Sequence, residues 1–191
     1  MADSARRTPD SVGVHVALLR GINVGGKNML PMKDLIAMFT DAGCSAVRTY
    51  IQSGNVVFEA RQDLANTIPA LIAAAISDRF GARVPVITRT AAELREVARS
   101  NPFLRAGVDT GTLHVMFLAN SPEAGKVASL DPNRSPTDEF VVRGREVYLR
   151  CPNGLARTKL TNEYFDSKLA TTSTVRNWRT VLKLLQLTGP E

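Results

Sequence analysis

Residues 14–19 read VHVALL and residues 113–118 read LHVMFL, and these two runs decide how the chain divides. Each places His second, Val third and Leu last. A short apolar run bounded by turn residues reads as a buried strand. Outward from the first run, Arg20-Gly21 ends the strand and Gly21 to Leu30 forms a loop. Pro31 suits the first turn of a helix from Met32 to Ala42, which Gly43 ends. Ala46 to Ile51 and Asn55 to Phe58 form a hairpin about Gln52-Ser53-Gly54. Leu64, Ile68, Leu71, Ile72, Ala75 and Phe80 recur at helical spacing before Gly81, and Val84 to Thr88 is a fourth strand. The order is βαββαβ, the ferredoxin-like arrangement.

Around the second run a similar order begins again. Thr90-Ala91-Ala92-Glu93 is a capping box that opens a helix to about Arg99. After the strand 113–118, Ser121-Pro122 starts a short helix and Phe140 to Leu149 forms a hairpin about Gly144. Helices are expected at Lys159 to Leu169 and Val175 to Leu187. The expected fold class is α+β, with two pseudo-repeated ferredoxin-like halves and C-terminal helices. A flexible tail over 1–12 would precede halves at 13–89 and 90–191, packed as one compact unit. His15 and His114 read as outward or edge positions of their strands.

Composition bounds the function. The chain has 191 residues, 44% hydrophobic and 22% charged, close to the globular average and sufficient for a core in one domain or two small ones. The longest uncharged apolar run, Ile68 to Ile76, is about half of a membrane span. The amino terminus is polar and charged, without the apolar stretch of a secretory signal, so a cytoplasmic location is expected. Cys44 and Cys151 form no CxxC pair, and His15 and His114 are the only histidines. No metal and no cofactor are expected.

The net charge is +6, and from Arg143 onward nine basic residues face four acidic ones. That excess suits an anionic metabolite or nucleic acid, and equally a solvated face. The sharpest local pattern is Arg20-Gly21-Ile22-Asn23-Val24-Gly25-Gly26-Lys27-Asn28, which contains G-x-x-x-x-G-K directly after a strand. Asn28 stands where Ser or Thr would hold magnesium, and Pro31 delays the helix that should face the phosphates. A nucleoside-triphosphatase loop is therefore not expected, while a structural loop or another anion loop stays open. The second cluster runs from Pro152 to Asn162, where an Asn-Gly turn leads toward a helix whose opening holds Arg157, Thr158 and Lys159. Cations oppose the dipole at a helix start, so a shared anion is one explanation and solvent exposure of the cations the other. In the last helix Val175, Trp178, Val181, Leu182 and Leu185 read as the core face, with Arg176, Arg179 and Lys183 opposite.

Several strings also resemble a known family. ALLRGINVGGKNML (17–30), VRTYIQSGNVVFEA (47–60), GREVYLRCPNG (144–154), TKLTN (158–162) and RNWRTVLKL (176–184) are similar to the bacterial domain-of-unknown-function family 1697. The resemblance runs from about Val14 to Leu187 and implies a cytoplasmic α+β protein with repeated ferredoxin-like elements. It implies no activity, substrate or catalytic residue. The leading expectation is a binding protein, with an enzyme left open, for a small phosphorylated or carboxylated anion. Arg20, Asn23, Lys27 and Asn28 would form one wall, and Arg157, Lys159 and Asn162 the other. The alternatives are RNA or DNA binding through the basic C-terminal face, and a structural or partner-binding module without ligand.

Overall fold

The computed structural model describes residues 11–26, 28–104 and 107–190. Residues 1–10 of the expected tail and the candidate Lys27 lie outside the described residues. The chain divides into two compact units between Ala91 and Ala92. Unit 1 contains β1 (Val12–Leu19), α1 (Met32–Asp41), β2 (Ser45–Tyr50), β3 (Asn55–Arg61), α2 (Gln62–Phe80) and β4 (Val86–Thr90). Next come α3 (Ala91–Arg99), β5 (Leu113–Leu118), α4 (Ala124–Ala128), β6 (Glu139–Arg143), β7 (Glu146–Arg150), α5 (Asn162–Leu169), β8 (Ser173–Asn177) and α6 (Trp178–Leu187). Two four-stranded sheets result, ordered β2-β3-β1-β4 and β6-β7-β5-β8. All pairings within both are antiparallel. The fold is thus mixed α/β, with six α-helices among the described residues.

β1 lies between β3 and β4, with Val16 opposite Val57 on one side and Arg89 on the other. Alternation along a strand puts Ala17 and Leu19 on one face, where they pack with Leu35 and Phe39 of α1 and Ile68 and Ile72 of α2. Complete burial of a Leu, Ile or Phe side chain stabilises a fold by about 1.5–3 kcal/mol, so this layer is the main cohesion of unit 1. In unit 2 a similar layer joins Met116, Leu118, Val147 and Leu149 to Phe165 and Leu169 of α5. Phe140 meets Phe165 edge-on at 5.5 Å between ring centroids.

The central position of β1 and β5 corrects the reading of their histidines. His15 is buried, stacked on Phe58 at 5.4 Å, with Nε2 3.3 Å from the Ala60 carbonyl. His114 is buried too, with Nδ1 3.1 Å from the Thr112 carbonyl. A strand flanked on both sides has no edge, and each imidazole is accommodated because a carbonyl takes up one ring N–H.

Element boundaries differ from the sequence reading at defined places. Val12, assigned to the tail, already pairs with Arg61. β4 begins at Val86 rather than Val84, because the Pro85 carbonyl accepts the Arg20 N–H and the ladder with β1 starts after it. α4 starts at Ala124, three residues past Ser121, with Glu123 at its N-cap. The expected helix from Val175 is instead β8 followed without a loop by α6, where Asn177 Oδ1 accepts the Thr180 N–H at 2.8 Å. Arg176 consequently sits in a strand and is buried, not on an exposed helix face. The buried face of α6 is Trp178, Thr180, Val181 and Leu184, while Leu182 is exposed.

Candidate functional site

The Gly-rich loop of unit 1 is closed by its own asparagines. Asn23, at φ 53, donates from Nδ2 to the carbonyls of Leu30 at 2.9 Å and Gln52 at 3.0 Å, and its Oδ1 accepts the Leu30 N–H. Asn28, at φ 48, donates to the Gly21 carbonyl at 2.9 Å. Both asparagines therefore replace missing backbone partners across the loop, and both occupy the left-handed region that Asn tolerates better than most residues. Both amide protons of Asn23 are engaged, which removes it as a donor to a ligand. Arg20 is half-buried, while Gly25 and Gly26 are exposed at φ 58 and 73.

The hairpin beneath this loop has a close approach. Gly54 has φ +78, and a Cβ there would lie 2.7 Å from the Leu19 Cβ. Its carbonyl accepts the Leu19 N–H at 2.8 Å. Asn55, fully buried, donates to the Tyr50 carbonyl and to Ser53 Oγ. The polar tip Gln52-Ser53-Gly54-Asn55 thus supports the turn and anchors Asn23.

In unit 2 the 153–162 segment is a chain of turns, and the helix expected to open at Lys159 begins at Asn162. Thr161 is its cap, accepting the Tyr164 N–H at 3.3 Å. Arg157 and Lys159 therefore precede the helix rather than occupying its first turn. Thr158 Oγ1 accepts the Leu160 N–H, which holds this stretch in a turn and delays the helix. Both cations are exposed, and neither side chain makes an ion pair among the described residues. Asn162 is taken up by a hydrogen bond to Ser173 Oγ at 2.8 Å.

A third cation belongs to this place. Arg134 donates from Nε to the Lys159 carbonyl at 3.4 Å, and its guanidinium lies 4.6 Å from the centroid of Tyr164. No motif in the sequence marks Arg134. Beneath the cations, Ser135 Oγ donates to the buried carboxylate of Asp138 at 2.6 Å, and the Lys159 N–H donates to Ser135 Oγ at 3.3 Å. Asn153 Nδ2 donates to Thr137 Oγ1.

Unit 2 also holds a cleft of about 390 Å³ beside α3 and the β6–β7 hairpin, lined by Glu93, Glu96, Arg143, Arg145, Glu146 and Tyr148 among others. Several of its polar groups already have partners within the protein. Arg145 pairs with Glu93, and Arg143 donates to the Ser100 carbonyl at 2.7 Å. The Tyr148 hydroxyl donates to the Val97 carbonyl, and burial pushes its pKa up to about 12, so it stays protonated.

The two thiols offer no nucleophile at neutral pH. Burial raises the pKa of both Cys44 and Cys151 to about 11. Burial lowers the pKa of Arg176 to about 10, while its Nη1 donates to Thr174 Oγ1 and the Val175 carbonyl. Among the described residues no group of three or more His, Cys, Asp or Glu is placed to hold a metal ion. Among them, too, no helix is long and apolar enough to cross a membrane.

Two antiparallel four-stranded sheets with six helices among the described residues, bearing surface cations on turns, define a mixed α/β protein of two units. The chain belongs to the family described as "Protein of unknown function (DUF1697)", which it matches over residues 12–148. Among solved structures it is similar to the conserved bacterial protein SP0830 from Streptococcus pneumoniae. That likeness has a TM-score of 0.68 at 18% identity and covers 93% of this chain and 99% of the other. At that identity it shows the fold alone. No curated protein matches.

Proposed function

We propose that the protein binds a small anionic ligand, phosphorylated or carboxylated, through the cations Arg134, Arg157 and Lys159 of unit 2. The observation that carries this reading is their gathering on one set of turns, with Arg157 and Lys159 exposed and outside any ion pair among the described residues. Like charges held together repel, and an oxyanion removes that repulsion while accepting their hydrogen bonds. Arginine suits bidentate contact and lysine a mobile point charge. In unit 1 the Gly-rich loop is held by its own asparagines, and Asn23 serves the loop itself.

We infer further that the two units are duplicated ferredoxin-like halves. Both sheets run in the order second, third, first, fourth strand of their unit. His15 and His114 occupy matching positions, and so do Arg89 opposite Val16 and Arg176 opposite Val115. Backbone bonds repeat too: Leu19 to Gly54 and Arg20 to Pro85 in one, Leu118 to Arg145 and Ala119 to Thr172 in the other. The halves differ in their connections: the loop after the first strand is Gly-rich and longer in unit 1, whereas the connections before and after the hairpin are longer in unit 2.

The binding proposal is tested by following the thermal midpoint during titration with inorganic phosphate. At a ligand concentration about 100 times Kd, mass action stabilises by about 2.7 kcal/mol. For a chain of this length that raises the midpoint by roughly 5–10 °C. Arg157→Ala and Lys159→Ala should each leave the ligand-free midpoint within about 2 °C, since exposed substitutions change little, and should diminish the phosphate response. A midpoint unmoved by phosphate, sulfate and small carboxylates, or moved equally in the variants, would sink the proposal. Oligonucleotide binding that weakens steeply with salt would move the reading to nucleic acid.

A further inference from the structure

Four strands end the two sheets: β2, β4, β6 and β8. An open edge carries backbone groups ready to pair with another strand, and proteins commonly defend such edges. β4 and β8 each bury three of their five residues. β2 is broken by a register shift between Ser45 and Arg48, with Ala46 at φ 48, a bend that spoils it as a template. β6 has neither protection. It pairs with β7 in unbroken register from Glu139 opposite Arg150 to Arg143 opposite Glu146, contains no Gly or Pro, and leaves Phe140, Val141 and Val142 half-exposed.

The sequence of this edge is complementary to itself. In Glu139-Phe140-Val141-Val142-Arg143 opposite charges stand two residues either side of Val141. An antiparallel pairing of two copies about Val141 places Glu139 of each copy opposite Arg143 of the other, and the two-fold axis makes this opposition twice. The register inside each unit extends the pattern. Across the joined sheets one row runs from Arg150 to Glu139 in one copy and on to Arg143 and Glu146 in the second, so that every neighbour has the opposite sign. Opposite charges facing across strands stabilise the pair, and like charges weaken it. On the other face Phe140 of one copy meets Val142 of the second, and both residues already pack against the α5 core of their own copy. The pairing therefore lengthens an apolar layer that exists in each copy.

We propose that β6 is a homodimer contact, in which a second copy of this chain adds antiparallel through β6 to make one continuous eight-stranded sheet. The contact is isologous: each β6 is used up by the other, so assembly stops at two chains and does not run on into a fibre. This contact lies in unit 2 and does not depend on the anion reading.

The test measures mass by sedimentation equilibrium on the full chain and on two charge variants. Wild type should sediment at twice the mass of the 20.7 kDa chain. Glu139→Lys sets an ammonium opposite the guanidinium of Arg143 in the second copy, and Arg143→Glu sets a carboxylate opposite that of Glu139. Each variant alone should raise the dimer dissociation constant by at least about tenfold, because two symmetric oppositions change from attractive to repulsive. Mixed in equal amounts, the two variants should recover the dimer as a heterodimer, since across the contact each charge then faces one of opposite sign. That recovery also establishes that both variants are folded. A monomeric wild type, a dimer indifferent to both variants, or variants that stay monomeric when mixed would each overturn the β6 contact.

Discussion

Gly54→Ala should be among the most damaging single-methyl additions in unit 1. Two terms add at this position. The residue has φ +78, and holding an L side chain in left-handed conformation costs about 1–2 kcal/mol. The new Cβ would also lie 2.7 Å from the Leu19 Cβ and 3.1 Å from two atoms of Ile22. Leu19 is on a central strand and completely buried, so its Cβ moves only if β1 moves. Forcing an extra methyl into a packed interior costs about 1–3 kcal/mol. The expected total is about 2–5 kcal/mol, a large part of the roughly 5–15 kcal/mol typical of a domain. Gly25→Ala is the matched comparison: φ is +58 and nothing lies within 4 Å of the added Cβ, so only the conformational term applies, about 1–2 kcal/mol. Urea unfolding followed by circular dichroism measures both as shifts in the midpoint concentration. If Gly54→Ala destabilises no more than Gly25→Ala, the close approach to β1 does not constrain the hairpin and the packing term is refuted.

Further outcomes follow from the buried titratable groups. Burial lowers the pKa of His114, so as pH falls through about 6.5 the unfolded chain takes up a proton before the folded one does. Stability from this group is present above that pH and declines below it; thermal midpoints from about pH 7.5 to about pH 5.5 should fall less steeply in His114→Gln than in wild type. Equal slopes would mean that the imidazole is as easily protonated in the fold as in the unfolded chain. With both thiols buried and raised to about 11, a disulfide-exchange reagent at neutral pH should label neither Cys44 nor Cys151 in the native protein and both in denaturant. Rapid native labelling of either would contradict the burial.

Where a segment carries both a period and a stop, its element was legible in the sequence. β5 falls on the residues read from LHVMFL, and α2 ends at Gly81 in the left-handed conformation that suits glycine at a C-cap. β8 was hidden because Val175, Trp178 and Val181 are spaced as on a helix, although the first belongs to a strand and the others to the helix after it. No linker separates them, so one apolar period runs across two elements. The opening of α5 was misplaced for a different reason: Thr158 and Thr161 are both suitable caps, and only the hydrogen bonds of the folded chain distinguish a turn at the first from a helix start at the second. The candidate site was legible to the same uneven degree. Arg157 and Lys159 are exposed as cations on a turn should be, but Asn23 and Asn162 are engaged within the fold by partners distant in sequence. Arg134 reaches that cluster only through tertiary contact with Lys159 and Tyr164, which no local pattern encodes.

The matching registers of β1–β4 and β5–β8 make the molecule its own control experiment. Arg89 and Arg176 are the same residue type in the same ladder position, opposite Val16 and Val115, and both are buried. His15 and His114 form a second such couple, one stacked on Phe58 and the other beside the Thr112 carbonyl. The same substitution made at both members of a couple holds residue type, strand position and solvent conditions constant. Whatever difference then remains between the two measured changes in stability belongs to the surroundings alone, a separation that a chain with one such sheet does not permit.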